Sequence, residues 1–168
     1  MLEFASEALK MEKAYVLLGR YHLLQKNTQK AQECFEKAEK MKNYMAIFNL
    51  GVIHAMNSQD FESTKQMIRY YEMAEELAIE QSTHCFGALN NLGTCYQKGT
   101  GVDKNQEMAV KFYSLAAENG NSDAMRNLGM FHIMNDKKEL GKNYLEKAAA
   151  KEHESALRDL KEFFCVIF

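Results

Sequence analysis

The sequence predicts an all-α fold built from repeated helix pairs. The chain has 168 residues and no proline, and it is rich in alanine, leucine, methionine, glutamate and lysine, which favour helices. The pattern A-x-x-x-L-G recurs at 14–19, 46–51, 88–93 and 124–129, and a fifth copy at 156–161 ends in Leu-Lys. Successive alanines of this pattern are 32, 42, 36 and 32 residues apart, a period typical of helix–turn–helix repeats.

Each A-x-x-x-L-G segment is predicted to lie on the first helix of a pair, and a second pattern marks the second helix. There, a small or flexible residue precedes a bulky pair and then an alanine, at steps that form one helical stripe. The four copies are Ala31, Cys34-Phe35 and Ala38; Met67, Tyr70-Tyr71 and Ala74; Ala109, Phe112-Tyr113 and Ala116; and Gly141, Tyr144-Leu145 and Ala148. The lack of glycine from 61 to 80 predicts a long second helix in the second repeat.

Turn residues separate the two helices of a pair. The segment 98–103, K-G-T-G-V-D, supplies glycines for positive φ. Asp103 is expected to cap the next helix, with Gln106 completing a capping box, and Asp136 and Glu139 repeat that spacing one repeat later.

Residues 88–124 resemble a complete Sel1-like repeat, a branch of the tetratricopeptide superfamily. They carry the Y-x-x-G-x-G-V turn at 96–102, the aromatic pair Phe112-Tyr113 and the A-A-x-x-G ending at 116–120. The resemblance implies a right-handed α/α superhelix, a solenoid of about four to five antiparallel helix pairs. We expect one domain, 1–168, with repeats at about 12–42, 43–81, 82–120 and 121–152 and a C-terminal capping helix at 153–168.

Charge and composition argue against several classes of partner. The net charge of −2 leaves no basic excess for a nucleic acid or an anionic lipid surface. No run of 18 apolar residues occurs, and the N-terminus lacks the order of a signal peptide. The four cysteines include no C-x-x-C pair, so we expect neither a zinc site nor a disulfide ladder. The sequence predicts a cytoplasmic protein without a cofactor, a nucleic-acid partner or a membrane partner.

Three histidines, His22, His54 and His132, take the place of a tyrosine that the family usually has in its first helices, where the third repeat keeps Tyr96. Equivalent positions of successive repeats lie about 8–10 Å apart, whereas the ligands of one zinc ion lie about 2.1 Å from it. We therefore interpret these histidines as partly buried rings that replace tyrosine, rather than as metal ligands.

No catalytic motif is present, and we expect no enzymatic activity. His84 and Cys85 are neighbours in sequence, but a nucleophile and its base must meet across space. Some Sel1-like proteins with regularly spaced cysteine pairs are associated with β-lactam binding or hydrolysis. Because this chain lacks that cysteine pattern and has no S-x-x-K motif, that activity is a remote alternative.

The resemblance implies that the first helices line a concave groove that binds a partner segment. The predicted partner-binding residues are Val16, Arg20, Leu23, Met45, Phe48, Asn49, Val52, Asn90, Asn91, Thr94, Gln97, Arg126, Asn127 and Met130. Asparagine before the leucine of the L-G pair either holds a peptide backbone or packs neighbouring repeats. The apolar members form either the groove or the core, and their methionines suit an apolar or amphipathic segment.

Six apolar residues, 163–168, end the sequence. Phe163, Phe164, Ile167 and Phe168 are expected either to cap the last repeat or to form a homodimer contact through the C-terminal helix. The function that we expect is non-catalytic protein–protein interaction, as an adaptor or scaffold that binds a protein or peptide in the groove. The alternative is a bacterial immunity protein or an effector that binds and inhibits a specific protein.

Overall fold

A computed structural model of the chain describes residues 2–57 and 61–164, with side chains from residue 10 to 57 and from 62 to 164. This part of the chain contains α-helices and no strand. The helices are α1 (Leu2–Leu24), α2 (Thr28–Glu39), α3 (Tyr44–Asn57), α4 (Phe61–Glu80), α5 (Phe86–Lys98), α6 (Gln106–Glu118), α7 (Ser122–Met134), α8 (Lys138–Ala149) and α9 (Glu154–Phe164). The predicted all-α, helical-repeat fold class is confirmed, and so is the long second helix of the second repeat.

Two compact units make up the chain. The first comprises Met1–Ala88 with Thr100–Val102, and the second comprises Leu89–Gly99 with Asp103–Phe168. In the first unit α1 packs on α2, α2 on α3, and α3 on α4. In the second unit α6 packs on α7, α7 on α8, and α8 on α9. Only three or four residues separate these packed neighbours in the sequence, so these neighbouring helices run antiparallel.

The glycine of the A-x-x-x-L-G pattern lies where the first helix of a pair crosses the second. In three of the four pairs, a Cβ atom added at this glycine would come within 2.5 to 2.7 Å of an aromatic ring on the second helix, and in the fourth pair one added to Gly129 would lie 3.0 Å from the Gly141 carbonyl oxygen. The three such contacts join Gly19 to Phe35, Gly51 to Tyr71 and Gly93 to Tyr113. The two repeating patterns of the sequence therefore meet at one close contact per pair, which explains why both recur together.

The core of the first unit shows how successive pairs stack. Ala31, Phe35 and Ala38 of α2 pack with Ala46, Leu50 and Ile53 of α3, and these six residues are at most 2 % exposed. The alanine and leucine of the A-x-x-x-L-G pattern thus face the second helix of the preceding repeat. The glycine beside them faces the second helix of its own repeat.

Two predicted helix caps are wrong. Asn105, not Asp103, is the N-cap of α6, and its side-chain oxygen accepts a hydrogen bond from the Met108 N–H at 3.0 Å. The glycine turn extends the loop up to Asn105, whose own N–H donates to the Tyr96 carbonyl. α8 begins after Lys137, which makes no side-chain capping bond, because Asp136 is used for a left-handed turn position with φ of 60°.

Candidate partner-binding surface

In the first repeat, the predicted binding residues divide between core and surface. Val16 and Leu23 are half-buried and pack against the core of α2 and α3. Arg20 is exposed. Of these three residues, only Arg20 therefore has an exposed side chain to offer a partner.

In the second repeat, the predicted residues are occupied with packing. The centroid of the Phe48 ring lies 5.8 Å from that of the Tyr71 ring. On another side, a Cβ atom added to Gly87 would lie 2.8 Å from the Phe48 ring. Asn49 is buried, and its Nδ2 donates to the Met45 carbonyl at 2.6 Å. Met45 and Val52 are half-buried. Asn49 thus has little surface to offer a peptide backbone.

Polar contacts join the first helices of the second unit. Asn127 on α7 donates to Asn90 on α5 through Nδ2 and Oδ1 at 2.9 Å. One repeat later, Arg126 on α7 binds the buried carboxylate of Asp159 on α9. Asn91, beside Asn90, is half-buried. Asn90, Asn127 and Arg126 therefore bond to residues of neighbouring repeats, whereas the side chain of Asn91 accepts from Asn90 of its own helix.

Tyr113 connects two more predicted residues. Its hydroxyl lies 3.0 Å from the Thr94 hydroxyl and donates to Gln97 Oε1 at 2.9 Å. Burial of the Tyr113 ring raises the pKa of its hydroxyl, and the hydrogen bond with Thr94 partly opposes that shift. Tyr113 therefore stays protonated and holds the side chains of Thr94 and Gln97 in place along α5.

A cleft of about 400 Å³ lies where α5 and α7 end and α6 begins. We call it the Lys98 cleft, and it is lined by Gln97, Lys98, Lys104, Gln106, Phe131, Met134 and Asn135. None of these residues is acidic. Neither lysine forms a salt bridge with a carboxylate that the structure describes. Met134 is 75 % exposed and provides an apolar wall.

The Lys98 cleft contains one of the predicted binding residues, Gln97, while Met130 lies half-buried nearby in sequence on α7. Sequence reasoning missed Lys104, Gln106, Phe131 and Asn135. The repeat pattern carried no signal for Lys104, because it lies in the turn rather than on a helix. Asp159 could have been found, since it occupies in the fifth repeat the position of Asn127 in the fourth.

In the second, third and fourth repeats, the ring at the tyrosine position of the first helix stacks on a ring of the second helix, whereas His22 makes an edge contact with Tyr21 of its own helix. His54 stacks on Tyr70, Tyr96 on Phe112 and His132 on Tyr144, with ring centroids 5.0 to 5.7 Å apart. Each stack lies within one repeat, as expected for histidines that replace tyrosine. Among the described side chains, no group of three or more histidine, cysteine, aspartate or glutamate residues is arranged to hold a metal ion.

Glu75, His84 and Cys85 meet in the first unit. Glu75 Oε1 lies 2.5 Å from His84 Nδ1, and Oε2 accepts from the Cys85 N–H at 2.8 Å. Cys85 is 2 % exposed, and burial raises its pKa to about 11. A buried, protonated thiol is a poor nucleophile. The carboxylate instead fixes the turn between α4 and α5.

At the C-terminal end, Phe163 is exposed and Phe164 is half-buried in α9. The Lys142 ammonium lies 5.6 Å from the centroid of the Phe164 ring. Ile167 and Phe168 lie outside the described residues, so the homodimer contact predicted there stays a prediction. Within the described helices, none combines the length and the hydropathy needed to cross a membrane.

Comparison with known proteins places the chain among repeat proteins. Among solved structures, the Sel1 repeat protein from Oxalobacter formigenes matches with a TM-score of 0.73 at 20% identity, over 92% of this chain and 64% of that chain. The c5321 protective antigen of uropathogenic Escherichia coli, which displays an SLR fold, matches with a TM-score of 0.69 at 22% identity, over 90% of this chain and 34% of that chain. These likenesses support the fold.

Sequence matches identify the family. A sel1-like repeat-containing protein of Acanthamoeba polyphaga mimivirus is 33% identical over 87 residues, which are 51% of this chain and 16% of that protein. Residues 13–43, 87–121 and 122–153 match the Sel1 repeat and together make up more than half of the chain. The helices α3 and α4 lie between the first two of these matches. The resemblance drawn from residues 88–124 is confirmed, and the chain belongs to the Sel1 repeat family.

Proposed function

We propose that this chain is a non-catalytic adaptor module that binds a segment of a partner protein at the Lys98 cleft. Sel1 repeat proteins generally mediate protein–protein interaction, and they are typically non-catalytic scaffolds. The single observation that carries the proposal is the lining of this cleft, two lysines and several amides beside the exposed Met134 and the half-buried Phe131, with no acidic residue. The first-helix residues predicted as a groove contribute Gln97 to it.

The lining defines the chemistry of the segment. Lys98 and Lys104 offer ammonium groups that attract a carboxylate, and Lys98 lies in the last turn of α5. Gln97, Gln106 and Asn135 carry amides that can donate to and accept from a peptide backbone. Phe131 and Met134 supply apolar surface, and methionine adapts to differently shaped side chains. The preferred segment therefore places an acidic residue next to an apolar one.

The affinity expected from this lining is moderate. A solvent-exposed ion pair contributes about 0–1 kcal/mol, and burying one large apolar side chain contributes about 1.5–3 kcal/mol. Part of this free energy offsets the ordering of the segment. We expect binding in the high micromolar to millimolar range that weakens as salt concentration rises, because the charged contacts are at the surface.

Selection of peptides from a random displayed library tests the proposal. The wild-type chain should enrich peptides with an acidic residue beside an apolar residue. A variant with Lys98→Glu and Lys104→Glu should bind the selected peptides at least about tenfold more weakly, since both attractions become repulsions. Circular dichroism should show unchanged helical content, because both lysines are exposed.

A matched variant controls for the change in net charge. Lys30→Glu with Lys138→Glu makes the same substitutions at exposed positions in the first turns of α2 and α8, where a glutamate suits the helix dipole. This control should bind the selected peptides like the wild type. If both variants lose the same affinity for the selected peptides, the loss is due to net charge alone. If the Lys98 and Lys104 variant binds the selected peptides as tightly as the wild type, the proposed site is wrong.

A further inference from the structure

The outward side of α1 carries a row of exposed apolar side chains. We call Met11, Ala14, Leu17, Leu18, Tyr21 and Leu24 the α1 face. The five large residues are between 45% and 81% exposed, with Leu17 at 64% and Leu24 at 81%. Ala14 is exposed as well. The face extends over 13 residue steps, or about 20 Å along the helix.

Corresponding positions in the later repeats are buried. The counterparts of Ala14 are Ala46, Ala88, Ala124 and Ala156, all 0 % exposed. The counterparts of Leu18 are Leu50, Leu92, Leu128 and Leu160, all at most 2 % exposed. In the first unit, Ala46 and Leu50 on α3 are covered by the stripe of α2. The α1 face thus has the composition of a helix–helix contact.

One position distinguishes the α1 face from an ordinary contact between repeats. The counterparts of Leu17 are polar, namely Asn49, Asn91, Asn127 and Asp159. In the second unit, two of them bond to the preceding first helix, Asn127 to Asn90 and Asp159 to Arg126. The Leu17 side chain has no polar group that could make such a bond. The occupant that fits Leu17 is instead apolar at this point.

The sequence spacing of the residues in the α1 face is the same when read from either end of the helix. Its residues are separated by 3, 3, 1, 3 and 3 positions, so the face is symmetric about a point between Leu17 and Leu18. A two-fold axis through that point places an antiparallel second α1 on the face. The pairs formed are Met11 with Leu24, Ala14 with Tyr21, and Leu17 with Leu18, each between one copy and the other. The smallest side chain is then opposite the largest.

The charged residues beside the α1 face are compatible with this antiparallel register. Lys10, Lys13 and Arg20 would lie opposite Gln25, His22 and Tyr15 of the second copy, so that no lysine or arginine is directly opposed to another. From these observations we propose that a second copy of this chain docks on the α1 face in an antiparallel α1–α1 contact. The contact is isologous, because each copy contributes the same six residues.

The area of the α1 face determines how stable the proposed dimer is expected to be. Six partly exposed side chains offer on the order of 500 Å² per copy, or about 1,000 Å² in the contact. This is the lower limit for a specific interface, so the dimer is reversible and forms at micromolar protein concentration. Because the contact is apolar, about 1 M salt, which screens charges, does not dissociate it. Binding of an acidic partner segment at the Lys98 cleft, in contrast, would weaken at this salt concentration.

Analytical ultracentrifugation of the full chain tests the proposal. The wild type should show a concentration-dependent dimer, and Leu17→Glu with Leu24→Glu should weaken it at least about 100-fold by burying charge in the contact. Both leucines are largely exposed, so the variant should keep its helical content. The matched control, Met56→Glu with Ile79→Glu, changes two exposed apolar residues outside α1 and should dimerise like the wild type.

Disulfide trapping tests the register. In a Cys165→Ser background, Ala14→Cys and Tyr21→Cys copies should form a crosslinked dimer when mixed. Neither variant should crosslink alone, because identical positions in the antiparallel pair are about 10 Å apart along the helix. A wild type that is monomeric at high concentration would overturn the proposal. A dimer that survives the Leu17 and Leu24 substitutions, such as one made through the C-terminal helix, would overturn it too.

Discussion

Arg126 on α7 holds Asp159 on α9 by two charged hydrogen bonds, Nε to Oδ2 at 2.5 Å and Nη2 to Oδ1 at 3.2 Å. One repeat earlier, the corresponding contact is the neutral pair of Asn90 and Asn127. The first helices of the second unit are therefore linked by a polar contact at each step, and the last step is charged. Because Asp159 is buried, its carboxylate depends on this guanidinium for a partner.

Removal of one charge should cost more than replacement of both. Asp159→Ala leaves the half-buried Arg126 guanidinium without its carboxylate and is expected to lower the free energy of unfolding by about 2 kcal/mol. Arg126→Asn with Asp159→Asn reproduces the neutral contact of the preceding repeat and should recover part of that loss. Urea unfolding of Arg126→Asn, Asp159→Asn and the double variant measures the coupling. Additive effects would show that the pair contributes no interaction of its own.

The repeating core could be predicted from sequence because its packing is local. The glycine of A-x-x-x-L-G and the aromatic pair that follows lie in one helix pair, so a short pattern determines their contact. The limits appear at the first repeat. Ala14 satisfies the same pattern as Ala46 but is exposed, since burial of this alanine requires the second helix of a preceding repeat.

The candidate surface was harder to predict because exposure depends on neighbouring helices and on turns. Phe48 and Asn49 lie on a first helix, as expected, yet Tyr71 and the Met45 carbonyl occupy them. Lys104 is accessible because a loop carries it to the end of α5. A repeat pattern reports which residues are equivalent, but it does not report the length and course of a loop.

Gly141→Ala should destabilise the second unit, although alanine is the better helix former. Alanine in the interior of α8 would by itself be favoured by about 1 kcal/mol. Its Cβ would lie 2.6 Å from the Gly129 carbonyl oxygen and 2.5 Å from Ile133, so α7 and α8 must move apart. We expect a net loss of about 1–3 kcal/mol in urea unfolding. Asn143→Ala, at an exposed position of α8, is the control and should be neutral or stabilising; a stabilised Gly141→Ala would contradict the close approach.

The buried thiols should react slowly until the chain unfolds. Burial raises the pKa of Cys85 and of Cys95 to about 11, from 9.0, and it also raises that of Cys34. At pH 8 the thiolate fraction of Cys85 and Cys95 is then about 100-fold lower than in an open chain. In a Cys165→Ser variant, a disulfide reagent should label these thiols rapidly only in urea. Rapid labelling of the folded chain would contradict their burial.

The same thiols should make the fold sensitive to alkali. Their folded pKa values lie above the unfolded value of 9.0, so the unfolded chain loses these protons first. The resulting stability is complete below pH 9 and is lost as pH rises through about 11. A Cys85→Ala variant should show a shallower decline in this window than the parent. Identical slopes would mean that Cys85 does not contribute to it.

His132 should make the second unit sensitive to mild acid. Burial lowers the pKa of His132 from 6.5, and the nearby Lys137 adds to the shift. Its buried Nδ1 has no hydrogen-bond partner among the described atoms, so nothing there favours a proton. A lowered folded pKa means that the stability from the neutral ring is complete above pH 6.5 and is lost as pH falls through the folded pKa.

His132→Tyr introduces the residue that the third repeat has at this position, where Tyr96 stacks on Phe112, and it removes this titration. In urea unfolding at a series of pH values from about 7 to about 5, the variant should therefore gain stability relative to the wild type as the pH falls. Parallel curves for the two proteins would show that protonation of His132 is not coupled to folding.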